Sequence, residues 1–490
     1  MPLRLSRAFW ILALAVSLAG YTAEITPVRK SALDHISAQS LRGHVSFLAS
    51  DLLEGRDTPS RGLDLAAEYI AAQFRRAGLK PAGDNGYFQT ASFVVSEQQN
   101  GAELELHAGD KDLRLETNNL RVTSSGGVDL SDAAPVKFNP GEAIADAIEG
   151  KIVIVALDKP QTFNLTLQAL TKLKPAAALF ALDAGARPMR STPRLEDAAQ
   201  RRPQQFPVIR VYDREFFKLA HNAKAGVMDA RLSLRIPPPV EKPVSLRNVA
   251  GILPGSDPAL ADTYVLVTAH YDHLGMRTPG DADVVYNGAN DDASGVASVI
   301  ELAAALSAAG PAPRRSVLFM AYFGEEKGLL GSAYYSRHPL VPLSKTVANL
   351  NLEQLGRTDG DHPAGTATLT GFDYTDIKSA LEMAGVATGV KIYNPEKNGE
   401  SYFARSDNQS LADRGIPAHT IVTDFEFPDY HKVGDEWDKI DYTHLEKVNR
   451  TIALTILMIA DSAEPPHWNE ENARTEKYVK AQRELLSPAK

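Results

Sequence analysis

The sequence predicts an α/β protein: a mostly parallel mixed sheet covered by helices on both faces, with a smaller inserted α/β unit. Three observations lead there. YVLVTAH (Tyr264 to His270), SVLFMAYF (Ser316 to Phe323) and TVANLNL (Thr346 to Leu352) are apolar runs without polar alternation, the pattern of strands buried on both faces of a parallel sheet. Between them the spacing turns helical, as in Val296, Val299, Ile300, Leu302, Ala303 and Leu306, closed by Gly310 and Pro311. Strands alternating with helices give a doubly covered sheet. From about Glu103 to Pro239 the chain changes character, to short strand-like runs punctuated by Pro and Gly.

Residues 1–23 carry Arg4 and Arg7, then the apolar AFWILALAVSLAG, then small residues: the layout of a secretory signal peptide cleaved after Ala19 or Ala23. The apolar run is short for a span of about 20 residues, so removal is expected, leaving an exported protein without a stable membrane anchor. Of the 490 residues none is cysteine, which excludes disulfides and a lipoprotein anchor. The 44% hydrophobic content allows two domains with cores of their own. A net charge of -9 without a basic cluster argues against nucleic acid as a partner.

The main domain is expected over 31–105 and 245–463. It opens with LRGHVSFLASD and a helix in which Leu65, Tyr69, Ile70 and Phe74 share one face, ending at Gly78 with Pro81 beyond. LASDLLEGRDTPSRG is expected to pack beside the site, with each of its charges an ordinary cap or surface group. The insert over 106–244 contains KIVIVAL, an Ala-rich segment near Pro175 and PVIRVY, and returns through the stiff PPPVEKP. HTIVT (His419 to Thr423) supplies a late strand and Leu445 to Ala463 a last amphipathic helix. The charged tail over 464–490 is expected as surface helix or disorder.

The chemistry-bearing residues gather where these strands end. His270 closes the first, with Asp272 two residues on to hold its imidazole from behind. A Gly-rich loop delivers Asp291 and Asp292; Glu325 and Glu326 follow the second strand and Glu353 the third; His431 lies beside Tyr430 before the last helix. Any one of these acids is adequately explained as a cap or a solvated loop residue. Together they fall where open α/β sheets place their sites. Imidazole and carboxylate are zinc donors, and catalytic zinc keeps a position open. Two metals about 3.5–4 Å apart, bridged by one carboxylate, activate water and polarise a carbonyl together.

AHYDHLG, GANDDASG, FGEEKGLLGS, NLEQLGR and YHKVGDEWDKID, in that order, resemble the M28 family of zinc aminopeptidases, dizinc exopeptidases that hydrolyse N-terminal residues from peptides. The resemblance implies the zinc exopeptidase fold and two Zn2+ per chain. One would be held by His270 and Glu353, the other by Glu326 and His431, with Asp291 bridging. It makes Glu325 the general base and gives Tyr430 the place of an oxyanion-stabilising tyrosine in some members. It implies a cis bond between Asp291 and Asp292. GKIVIV, AAALFALD and FPVIRV resemble the protease-associated domain inserted in many members, a cover over the site or a spacer. Where relatives have Asp as the third ligand this chain has Glu353, whose extra methylene demands a shifted backbone or another binding mode. The pocket-bordering SDH of relatives is here Ser406, Asp407, Asn408, with Tyr402 and Phe403 as pocket or core residues. Two other readings stay open: a single-zinc acyl transferase like the glutaminyl cyclases of this fold, and a non-catalytic binding module. The presence of Glu325 beside the ligands speaks against the second.

Overall fold

Strand Tyr264–His270 lies at the centre of the main sheet, parallel to Ser316–Tyr322 on one side and to Thr346–Leu352 on the other. Thr346–Leu352 in turn runs parallel to Ala418–Val422. Antiparallel neighbours close both flanks: Val249 to Leu253 against Ser316–Tyr322, and Thr366–Leu369 against Ala418–Val422. The sheet is therefore parallel where it is most buried and mixed at its margins, the arrangement that unbroken apolar runs demand.

This structure is a computed structural model that describes residues 21–140, 148–157, 159–182, 193–277, 283–358, 362–395 and 399–487. All but the last three residues of the expected signal peptide lie outside them. Among the described residues no helix is long and apolar enough to cross a membrane.

The described residues form two units, one within Met1–Ala91 and Leu246–Lys490, the other Ser92–Ser245. The second starts ahead of residue 106 because Glu103–Ala108 pairs with Arg231–Ile236, deep inside that unit. It contains a sheet with parallel Ile152–Leu157, Ala177–Leu182 and Val208–Tyr212, and a four-stranded antiparallel sheet. Leu104, Leu106, Leu232 and Leu234 of the latter share one apolar cluster with Ile154, Leu179 and Ile209 of the former.

In the first unit, helix Ser294–Ala308 is buried almost all round, between the sheet and helices Pro27–His35, Ala38–Leu48 and Tyr442–Asp461. Such a helix is apolar over most of its surface, and its buried Glu301 is satisfied by Ser37 N–H at 3.0 Å and by Ser40 Oγ. Helix Arg61–Arg76 buries Leu63, Ala66, Ile70 and Phe74, whereas Leu65 is 43% exposed. The i, i+3, i+4 stripe starts two residues earlier than Leu65, so that leucine falls on the outer side.

On the opposite face, Leu266, Leu318, Met320 and Tyr322 pack with Tyr335, Phe403, Leu411, Trp468 and Tyr478. The last two belong to the tail, which is part of this core and not a loose appendage. Trp468 is only 4% exposed, donates from Nε1 to Gly415 O at 2.9 Å and stacks on Tyr478 at 4.9 Å. The charges of helix Glu476–Leu486 sit on its outer side while Tyr478 and Val479 face in. A buried polar ladder crosses the same layer. Thr268 donates to Asn351 (2.8 Å), Asn351 to Ser406 (2.9 Å) and Thr420 to Asn408 (2.8 Å). Asn408 thus ties the Ser406 segment to the central strands, and it can do so because every member has a partner.

Two outcomes are expected from this packing. Trp468→Ala leaves a large cavity and should lower unfolding free energy by about 3–5 kcal/mol in urea titrations, where a loose tail would show no change. His419 is the second case: its Nδ1 stands 2.6 Å from Thr370 O and its Nε2 2.7 Å from Thr375 Oγ1, and burial holds its pKa down to about 4. As pH falls below about 6.5 the unfolded chain takes up a proton that the folded one refuses until about 4. His419 therefore removes stability over that window, by about 3 kcal/mol at full extent. In chelator-treated protein, His419→Gln should flatten the fall in urea midpoint between pH 6.5 and 4 relative to wild type.

Candidate metal centre

The parallel strands end almost level, Ala269 and His270 pairing with Ala321 and Tyr322, so each delivers its next residues to the same rim. His270 is the last residue of its strand, Glu325 and Glu326 follow Ser316–Tyr322, and Glu353 follows Thr346–Leu352. Asp291 comes from the turn Ala289–Ala293 that opens helix Ser294–Ala308, and its peptide to Asp292 is cis. His431 comes from the loop before the last long helix, with φ +54°.

These residues converge. His270 Nε2 stands 3.3 Å from Asp291 Oδ1 and 3.8 Å from Glu353 Oε1. His431 Nε2 stands 3.1 Å from Asp291 Oδ2 and 3.4 Å from Glu326 Oε1. Each oxygen of Asp291 thus faces a different histidine, with a different glutamate beside each. Glu325 and Tyr430 line the same cavity of about 350 Å³, together with Tyr402, Arg405, Asp424 and Phe425. The Tyr430 ring stacks on His431 at 4.0 Å. Of the two aromatics flagged in sequence, Tyr402 lines the cavity and Phe403 is core, 2% exposed.

The loops are fixed from behind. His270 Nδ1 is 3.2 Å from the main-chain oxygen of Asp272 and 3.6 Å from its carboxylate, so the carbonyl is the nearer support. That carboxylate accepts instead from the Glu325 N–H at 3.0 Å, joining two site loops. Asp435 accepts from the amides of Asn290 and Asp291 at 3.0–3.1 Å, and Asp292 from those of Gly295 and Gln354 at 3.0 and 3.2 Å. Burial pushes the carboxyls of Glu325 and Asp292 well above the usual range and that of Asp435 up to about 6.

The description "Peptidase family M28" matches residues 248–456, wholly inside the first unit and spanning every residue of the centre. Residues 248–456 belong to peptidase family M28. Among curated relatives, the chain is similar to leupeptin-inactivating enzyme 1 of Streptomyces exfoliatus, 26% identical over 253 residues, 46% of this chain and 51% of that protein. It is also similar to a probable zinc metalloprotease of Pyrenophora teres f. teres, 34% identical over 119 residues, 24% of each chain. The chain spans about half or less of the length of these curated relatives. In fold it resembles an aminopeptidase from Aneurinibacillus sp. strain AM-1, TM-score 0.60 and 18% identity over 89% of this chain and 97% of that one. It likewise resembles BSAP, a zinc aminopeptidase from Bacillus subtilis, TM-score 0.51 and 19% identity over 86% and 94%.

The donors of the M28 region suit zinc on physical grounds. His270 Nε2, both ring nitrogens of His273 and Glu326 Oε1 are buried without a hydrogen-bond partner. Leaving such atoms unpaired costs about 1–3 kcal/mol each, more for charged groups, and a bound cation would offset this for His270 Nε2, Glu326 Oε1 and one nitrogen of His273. The donor atoms fall into two groups, each within 4.8 Å: His270, Asp291 and Glu353, and His273, Asp291 and Glu326. Imidazole nitrogen with carboxylate oxygen is a set zinc accepts. Asp359 and Asp361, the nearest other acids after Glu353, lie outside the described residues.

Three residues here escaped sequence reasoning. His273 lies three positions past His270, and a second histidine in the same short motif was the available signal. Asp435, in the motif GDEWD, had the signal of any acid near His431. Arg56 had none, since its surroundings are set by the turn before it. Glu54, Gly55 and Arg56 all have positive φ. Gly55 fits only as glycine, because a Cβ there would meet Gly275 O at 2.4 Å and Tyr286 O at 2.5 Å. The turn sends the Arg56 guanidinium inward to donate to the main-chain oxygens of Leu48, Tyr271 (2.9 Å), Asn287 (2.8 Å) and Gly288 (3.0 Å). Burial brings its pKa down to about 10, so it stays charged at neutral pH beside Asp272, Asp435, Asp291 and Asp292.

Arg56→Met should therefore lower unfolding free energy by at least about 3 kcal/mol, the scale of an uncompensated buried charge network. Zinc affinity, read by chelator competition, should fall with it. Arg56→Lys should not restore either, because one ammonium cannot serve four carbonyls with the geometry of a guanidinium fork.

Proposed function

We propose that this protein is an exported zinc aminopeptidase with two metal positions, removing N-terminal residues from peptides. The observation that carries the reading is Asp291, whose two carboxylate oxygens face two separate histidine and glutamate pairs, the geometry of a bridging ligand. A single-metal acyl transferase requires only one such group, so the second pair favours hydrolysis. The choice of the amino end rests on the aminopeptidases whose fold the chain shares. The leader pattern of residues 1–23 supports export.

Zinc bound by His270, Asp291 and Glu353, and by Asp291, Glu326 and His431, would supply the Lewis acidity that polarises a peptide carbonyl and makes water nucleophilic near neutral pH. The chain's own groups do the rest. Glu325 accepts the proton of the attacking water and returns it to the leaving amine. Its loop is anchored by the bond of its amide to Asp272, and its side chain lines the cavity rather than joining either donor group. Tyr430, on the cavity wall against His431, is placed to donate to the oxygen on which charge develops. The walls from Tyr402, Phe425 and Asp424 exclude bulk water and hold the terminal residue.

Purified mature protein assayed on aminoacyl anilides and on Gln-initiated peptides, with zinc measured, should release N-terminal residues and contain two zinc ions per chain. One zinc with pyroglutamate as product would sink the reading. Glu325→Gln should retain both metals and lose at least about 100-fold in kcat, the scale of a removed general base.

A further inference from the structure

We infer that His273 is a fourth protein donor at the metal position of Asp291, Glu326 and His431, so that this position is closed by protein and the His270 position alone is open to substrate. The inference rests on the two-metal reading above and adds to its ligand set.

His273 is fully buried, and its Nδ1 lies 2.8 Å from Glu326 Oε1 and 4.0 Å from Asp291 Oδ2. From the other side His431 Nε2 lies 3.1 and 3.4 Å from the same two oxygens. Donors around tetrahedral zinc at about 2.0–2.1 Å are separated from one another by about 3.3 Å, and these separations bracket that value. Neither Nδ1 nor Oε1 makes a hydrogen bond of good geometry. Two buried donor atoms this close without one, together with Asp291, form a group that a single cation can share. The two histidine rings meet edge to face, 5.8 Å between centroids, so both can reach that point without clashing.

The backbone is built to keep His273 there. Its amide donates to Arg56 O at 3.2 Å. Gly288, at φ +59°, passes directly over the ring, and a Cβ at that position would meet His273 Cγ at 2.5 Å and Asp291 O at 2.3 Å. The His270 position has no counterpart among the described residues: its donor group is His270, Asp291 and Glu353. Four donors against three makes the two positions unequal. Structural zinc sites are filled by protein, whereas catalytic ones keep an open place.

The test uses the full mature protein, wild type and variants, stripped and reloaded with zinc or cobalt. His273→Phe fills the same space without a donor atom. One of the two zinc affinities, read by competition with a chromophoric chelator, should fall at least about 100-fold, beyond the 10–100-fold of a mere second-sphere partner. The other affinity should be unchanged. The first equivalent of cobalt should give intense four-coordinate visible absorption in wild type and weak absorption in the variant. His431→Ala should also keep two zincs at saturation, because three donors remain, and only His273→Phe with His431→Ala should abolish one position. Thermal unfolding of the metal-free forms separates ligation from folding, and His273→Ala is read in the same way where His273→Phe does not fold. Wild-type affinities and an unaltered cobalt spectrum in His273→Phe would overturn the inference, as would a weakened affinity with an unaltered spectrum. Fewer than two zincs in wild type would instead sink the two-metal reading.

Discussion

Asp291, Asp292, Glu325, Glu326 and Glu353 crowd onto one rim of the sheet with three imidazoles, and this buried like charge is the constraint to which the rest of the first unit answers. Two carboxylates about 4 Å apart repel by about 4 kcal/mol at an effective dielectric of about 20. The neighbouring carboxylates raise the pKa of His270 and bring that of His431 up to about 10, which balances part of that charge, and burial pushes Glu325 and Asp292 toward their neutral forms. A multivalent cation would resolve the conflict directly, since it would partner the orphaned His270 Nε2 and Glu326 Oε1. Asp291 is central because, among the described residues, its carboxylate is the one that joins both donor groups.

Such a cluster must be held before metal arrives, because its charges alone would drive the loops apart. The ties that hold it come from the main chain and from side chains remote in sequence. Asp435 gathers the amides of Asn290 and Asp291, and Asn290 Oδ1 accepts from Gly356 N–H at 2.8 Å. Arg56 gathers the loops at Tyr271 and at Asn287 and Gly288, with the end of helix Ala38–Leu48, through their carbonyls while its charge stands near the acids. Preorganisation of this kind is what sets ligand geometry within the tolerance that zinc requires.

The central strands and the convergence of His270, Asp291, Glu326, Glu353 and His431 on one rim were legible because buried parallel strands have an unmistakable run of apolar residues, and because their carboxyl ends are where function collects. Leu65 was misplaced since a helix stripe two residues out of phase still reads as amphipathic. The tail misled through composition. Its many charges describe one side of helix Glu476–Leu486, and Trp468 and Tyr478, the residues that dock it, are few. Arg56 was illegible in principle: a run of positive φ has no periodicity, and it alone decides whether the arginine points outward or in. His273 was legible as a residue type but not as a donor, because its role depends on the glycine that passes over its ring.

Glu353 carries its carboxylate on an arm one methylene longer than aspartate, and the backbone on both sides of it is held. Its amide donates to Ile421 O at 3.2 Å. One residue later Gln354 takes φ +52° and is fixed on both sides, its amide to Asp292 and its carbonyl accepting from Thr423. A turn held so firmly sets the reach of the carboxylate before it, which stands 3.8 Å from His270 Nε2 against 3.3 Å for Asp291. The left-handed residue after Glu353 and the glycine over His273 are thus the two backbone features that fix where these donor atoms stand.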